Sequence, residues 1–197
     1  MGGDLAPRQP GPPSIVSPPP SCQNSEAMPI GRQIQVGGTT KAELLGRLQR
    51  AGIELNAAAQ ILFADQRFQA LPEATTLQCI ETDAAELGLV RGGTFADVVA
   101  AAAVKGWSVC PLELGPQLRL SLLDQPEGAV GVPETRHRAP PGSITIASAP
   151  LDDEDETPKG FYLRRIDGTL WLRGYRSWPG HVWDPGDRFI FGLQPGR

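Results

Sequence analysis

The dipeptide Asp167-Gly168 separates two runs of alternating character, residues 160–166 and 169–175, and constrains the fold more than any other feature of the chain. A two-residue hairpin loop needs positive φ at its centre, which Asp-Gly supplies at little steric cost. Such a turn fixes the register, so Ile166 faces Thr169, Arg165 faces Leu170, Arg164 faces Trp171, Leu163 faces Leu172 and Tyr162 faces Arg173. Because strand side chains alternate between faces, Phe161, Leu163, Leu170 and Leu172 share one side of the hairpin. Tyr162, Arg164, Trp171, Arg173 and Tyr175 share the other. The first side reads as core, and the second as a surface able to stack on or grip a partner.

Charge distribution sharpens this expectation. The chain of 197 residues carries a formal net charge of -4, which argues against a globally basic nucleic-acid binder. Residues 158–197 nevertheless hold seven Lys or Arg against three Asp, so the remainder of the chain carries a net charge of -8. The hairpin is thus locally basic on an acidic protein, and the two parts can attract each other. Cys22, Cys79 and Cys110 lack the spacing of a redox pair or a zinc knuckle, and Cys79 and Cys110 read as reduced core residues. No apolar run of about 18 residues is present, so no membrane span is expected. No secretory signal is expected at the N-terminus, and the expected location is the cytoplasm.

Residues 1–30 contain Pro10, Pro12, Pro13, Pro18, Pro19 and Pro20 and few large apolar groups, so a disordered tail is expected. A proline-recognition ligand and a translation start at Met28 are further readings of that segment. Residues 31–72 read as a helical hairpin. Thr40 and Glu43 form a capping box ahead of Leu44, Leu45 and Leu48, and Gly52 suits the stop. Asn56 caps a second helix carrying Ala58, Ala59, Leu62 and Phe63. Residues 73–135 read as a mixed α/β region, with a strand over 77–82, a weak helix start at Thr82 and a helix over 95–105 capped by Thr94. Residues 109–112, and Leu118, Leu120 and Leu122 by their alternation, read as further strands. Residues 140–197 read as an antiparallel β region with a strand over 143–147, the acidic loop 152–156 and the hairpin. A second hairpin joins Val182-Trp183 to 188–191 through the turn at Asp184-Pro185-Gly186-Asp187. Helices first and strands late give an α+β fold: an N-terminal helical hairpin, a mixed middle region and C-terminal antiparallel β-hairpins.

Several patterns invite chemistry. Aromatic rings stack on bases while arginines neutralise phosphate, so the hairpin face suits single-stranded nucleic acid. The same face can be self-contained, with Arg164 on Trp171 and Tyr162 on Arg173 contributing about 0.2–1 kcal/mol per pair. The first two helices resemble a DNA-reading unit, yet Asn56, Gln60, Gln66 and Arg67 offer few donors and Glu54 and Asp65 flank them. His137 sits between Arg136 and Arg138, whose charges disfavour its protonation, with Glu127 and Glu134 in reach along the loop and His181 distant in sequence. The acidic run lacks the ligand alternation and central glycine of a calcium loop. Gly37-Gly38 and Gly92-Gly93 precede helices without the lysine or third glycine of a phosphate-binding loop, and read as turns.

The stretches 38–68 and 140–191, and above all the run from Pro158 to Gly168, resemble a bacterial family of small uncharacterised proteins; the resemblance implies no activity. The residues point first to a non-enzymatic binding or regulatory protein. Its partner, a protein or ligand, would be engaged by Tyr162, Arg164, Trp171, Arg173 and Tyr175. The alternative is single-stranded nucleic-acid binding by that face, and a second alternative is a small hydrolase or transferase using His137. No catalytic residue, cofactor or metal ligand is assigned.

Overall fold

The computed structural model describes residues 30–128 and 139–193. The proline-rich tail up to residue 29 and the loop holding His137 lie outside the described residues.

Four helices pack on one large, curled mixed sheet, an α+β architecture. The strands of that sheet are β1 (Ile30–Val36), β2 (Glu54–Leu55), β3 (Thr75–Asp83), β5 (Trp107–Ser108), β6 (Ile144–Ile146), β7 (Gly160–Ile166), β8 (Thr169–Tyr175) and β10 (Arg188–Leu193). Their order is β1-β3-β10-β6-β7-β8-β2, with β5 also on β10. The pairs β10–β6 and β8–β2 are parallel and the remaining pairs antiparallel. A two-stranded sheet joins β4 (Gly93–Thr94) to β9 (Val182–Trp183). Strands from the segments 31–72, 73–135 and 140–197 therefore meet in one sheet. Among the described residues no helix is long and apolar enough to cross a membrane.

The caps read from the sequence start the helices. Thr40 and Glu43 form a capping box for α1 (Lys41–Arg50), Asn56 caps α2 (Ala57–Ala64), and Thr94 with Asp97 caps α3 (Phe95–Val104). The first two helices do not pair as a helical hairpin. Instead α1 packs on α4 (Leu114–Ser121) and α2 packs on β7 and β8, because β2 between them is drawn onto the edge of β8. Asn56 makes this attachment: its Oδ1 accepts from Ala59 N at 2.9 Å and from Gly174 N at 2.8 Å, while its Nδ2 donates to Gly174 O at 3.0 Å. Gly174 is required there, since a Cβ would stand 2.6 Å from the Ala58 backbone.

Four further expectations are corrected. Residues 118–121 are helix rather than strand, with Leu122 as the C-cap, because Leu114, Leu118 and Leu122 are also spaced for one helical face and all three are buried. The turn before β10 forms, with Asp187 N donating to Asp184 O at 3.0 Å, but the two strands part: β9 pairs with β4, and β10 enters the large sheet. The weak helix start at Thr82 is a run of turns over 84–88, and the expected strand at 109–112 is reduced to an isolated bridge of Cys110 with Ser148, the neighbouring strand being β5 at Trp107–Ser108. Three strands, β1, β2 and β4, have no counterpart among the expected elements.

Candidate aromatic and arginine site

The turn residues Asp167 and Gly168 have φ of 49° and 77°, and β7 and β8 pair with Tyr162 opposite Arg173 and Arg164 opposite Trp171. Alternation then sorts the side chains. Phe161, Leu163 and Leu172 are fully buried against α2 and α4, where Phe161 meets the rings of Phe63 and Phe68 at 5.5 and 6.0 Å. Thr145 pairs with Tyr162 across β6 and β7, placing Tyr162 on the opposite face with Phe189.

On that opposite face the five expected residues are assembled, but unequally available. Tyr162 and Arg164 are each only 8% exposed, whereas Trp171, Arg173 and Tyr175 are half-buried. The guanidinium of Arg173 lies over both aromatic neighbours, 5.9 Å from the Tyr162 ring centroid and 5.2 Å from that of Trp171. Arg173 therefore takes the cation–π role on both rings, a contact worth about 0.5–2 kcal/mol depending on desolvation. Its Nε is buried and finds no acceptor among the described residues. The strand ends are braced by a loop: Gly128 N donates to Arg165 O at 3.3 Å, and Glu127 Oε2 accepts from Gly168 N at 3.2 Å and faces Arg165 Nε at 3.5 Å.

The acidic loop does not claim Arg173. Asp152 pairs with Arg67 at 2.8 Å, and Arg67 also holds Asp65, whose carboxyl falls to about 2 chiefly through the hydrogen bond from the Arg67 side chain. Lys159 Nζ donates to the carbonyls of Asp152 and Glu154 at 3.1 and 2.6 Å, and Arg176 Nε to the carbonyl of Glu156 at 2.6 Å. These cations are satisfied by backbone, which leaves the carboxylates of Asp153, Glu154, Asp155 and Glu156 facing outward.

Beyond Arg173 the face continues as a ribbon of rings. Tyr162 meets Tyr175 at 6.5 Å, Tyr175 meets Trp183 edge-on at 5.7 Å, and Trp183 touches His181 at 4.9 Å and Phe189 at 5.1 Å. Helix α3 and the turns before it cover this end through Val98, Ala102, Ala84 and Leu87. Burial raises the Tyr175 hydroxyl above its ordinary range. A cavity of about 100 Å³ opens beside Tyr175, lined also by Phe95, Ser148, Pro150, Asp153, Lys159, Ser177, Trp178 and Pro179. Of these lining residues only Tyr175 is among the binding residues expected from the sequence, since Phe95, Ser148 and Trp178 come from three other segments and carry no shared motif.

Two buried polar groups also escaped the sequence. Arg119 on α4 is fully buried, bonded through Nη1 to Gln125 Oε1 at 2.5 Å, with Nε and Nη2 unmatched; burial lowers it to about 10. Gln125 Nε2 donates in turn to Gly142 O at 2.9 Å and Leu163 O at 3.2 Å, tying the loop to β7. Glu113, at the start of α4, accepts from Gly37 N and Leu71 N at 2.7 Å each. Both groups serve architecture. The expected candidate His137 lies outside the described residues, and among those residues no group of three metal-ligating side chains is assembled. Comparison with protein-family models, with curated proteins and with solved structures found no match.

Proposed function

We propose that this is a non-enzymatic binding protein whose contact surface is the outer strand of the hairpin, Trp171 and Arg173 backed by Tyr162, Arg164 and Tyr175. One observation carries the reading: the Arg173 guanidinium is held between two rings with its Nε buried and unmatched. A buried donor without an acceptor costs about 1–3 kcal/mol, and because Arg173 is half-buried a partner carboxylate meets the accessible side of the guanidinium, reaching Nε only as the neighbouring rings yield. The rings fix the guanidinium plane in advance, so little side-chain freedom is lost on docking. The partner class is a protein or ligand that presents a carboxylate. A cytoplasmic setting belongs to the same proposal and suits the two buried free thiols, Cys79 and Cys110.

Titration of the full chain with a glutamate-rich peptide, read by tryptophan fluorescence and calorimetry, tests this. Arg173→Ala and Trp171→Ala are expected to weaken binding about tenfold or more, in line with a lost charge-assisted contact, while the fold is retained with a stability loss of about 2 kcal/mol or less. Unchanged affinity in both folded variants overturns the reading. A single-stranded oligonucleotide that binds instead, with affinity falling steeply as salt rises, replaces it with nucleic-acid binding.

A further inference from the structure

We propose that the cavity between Phe95, Tyr175 and Trp178 is a second binding site, for an organic ammonium cation of the methylated-amine class. It goes beyond the carboxylate surface at Arg173 and shares only Tyr175 with it.

The walls are aromatic. Phe95 comes from the first turn of α3, Tyr175 from the end of β8, and Trp178, which is 45% exposed, from the segment that follows. At about 100 Å³ the space is smaller than the cavity of about 150 Å³ that holds benzene, and suits a compact head of about five heavy atoms. Ring faces attract a cation through their quadrupole, and quaternary and methylated ammonium groups are the ligands that such walls select.

The floor is polar and unfinished. Ser148 is 1% exposed and lines the cavity, yet its Oγ has no hydrogen-bond partner among the described residues. Tyr175 stands directly opposite Gly160 in the β7–β8 ladder. A Cβ on Gly160 would lie 2.9 Å from Ser148 Oγ and 3.4 Å from Tyr175 Oη, so the missing side chain leaves the two hydroxyls flanking one open position. Both oxygens can accept a hydrogen bond from an N–H of the guest. A buried hydroxyl with no partner is costly, and a guest N–H satisfies it.

The mouth is acidic. Asp153 lines it directly, and Glu154, Asp155 and Glu156 follow on the same loop with no side-chain partner among the described residues. Lys159 is the one cation among the lining residues, and its Nζ is drawn to the carbonyls of Asp152 and Glu154. Arg176, between the lining residues Tyr175 and Ser177, adds a second cation held on the Glu156 carbonyl, and the four exposed carboxylates exceed these two charges, so the field at the entrance favours a cation.

Titration of the full chain with dimethylammonium, tetramethylammonium, tert-butanol and isobutyrate tests the assignment, read on the Trp178 indole N–H resonance. Both cations are expected to shift it saturably, with tert-butanol and isobutyrate without effect. Trp178→Ala should weaken both cations about tenfold, and Ser148→Ala should weaken dimethylammonium more than tetramethylammonium, which has no N–H to give. Gly160→Ala should abolish binding by filling the floor. A peptide bearing dimethyllysine run beside free dimethylammonium separates the two sources of the cation: tighter peptide binding assigns a modified protein partner, equal binding a free amine. Tert-butanol binding as tightly as the cations, or cation binding unchanged in both Trp178→Ala and Gly160→Ala, overturns the proposal. Neither result bears on Arg173, whose own Nε–Hε resonance reports the carboxylate surface separately.

Discussion

The two faces of the large sheet are closed by different kinds of contact. Toward α1, α2 and α4 the sheet presents aliphatic and phenylalanine side chains such as Phe161 and Leu163, which meet Leu44, Leu48, Leu62 and Phe68 of the covering segments, all almost wholly removed from water. Toward α3 it presents Phe189 and Phe191, joined by Trp183 of β9, then Tyr175, Tyr162, Arg173 and Trp171, in a line that runs from core to half-exposed surface. Apolar burial is non-directional and scales with area, so the first face can hold the fold without leaving chemistry available. Rings and guanidinium groups keep directional capacity after packing, so the second face both packs and retains unmatched donors and acceptors. Stability is therefore concentrated on one side and recognition on the other.

The largest expected effect breaks the first face. Phe161→Ala removes the ring that joins Phe63 and Phe68, and should cost about 3–5 kcal/mol in urea unfolding. Glu113→Gln comes next: it keeps the shape but removes the charge that receives Gly37 N and Leu71 N, for a loss of about 1–3 kcal/mol. Gln125→Ala strands Arg119 and two backbone carbonyls and should cost about 1–3 kcal/mol. Arg119→Met, which removes the buried cation itself, should cost less than Gln125→Ala, and the reverse order would show that Arg119 has a tighter partner. At the small end, Trp171→Ala should change stability by about 1 kcal/mol or less. A loss comparable with that of Phe161→Ala would erase the distinction between the faces.

Acid sharpens the comparison from a third direction. Asp65 has its carboxyl lowered to about 2 by Arg67, below the unfolded value of about 3.9. Its contribution is fully present above the unfolded value and is lost as pH falls through the folded one, between about pH 4 and 2. Because the pair is exposed, added salt should shrink the effect. A carboxyl-carbon titration by NMR should place the Asp65 midpoint near 2, and a midpoint near 4 would remove the Arg67 clamp from the account.

What the sequence made legible was local. The register of β7 and β8 follows from Asp167-Gly168, whose geometry is a property of two residues, and the helix starts follow from Thr40 with Glu43, Asn56, and Thr94 with Asp97. Long-range choices were not legible. The alternation of Gln33 and Gln35 with Ile34 and Val36 is a strand signal for β1, but it covers only residues 33–36, and the match of Arg32 to Glu81 on β3, 49 residues away, which also holds Arg188, is not legible locally. Leu118, Leu120 and Leu122 satisfy a period of two as well as the helical one, and only the burial of Leu114 and Leu118 against the sheet decides between them. The aromatic face was found, but the burial of Tyr162 and Arg164 depends on segments distant in sequence. The same holds for the cavity floor, which needs Ser148, Gly160 and Tyr175 together.

The most direct test of a sheet divided between stability and recognition is the Nε–Hε resonance of Arg173, followed while a glutamate-rich peptide is added to the full chain. The expected result is a saturable shift at Arg173, with Arg67 and Arg165 unmoved, that disappears in Trp171→Ala while the fold is retained. A flat Arg173 signal, or equal drift of all arginines with ionic strength, would contradict it.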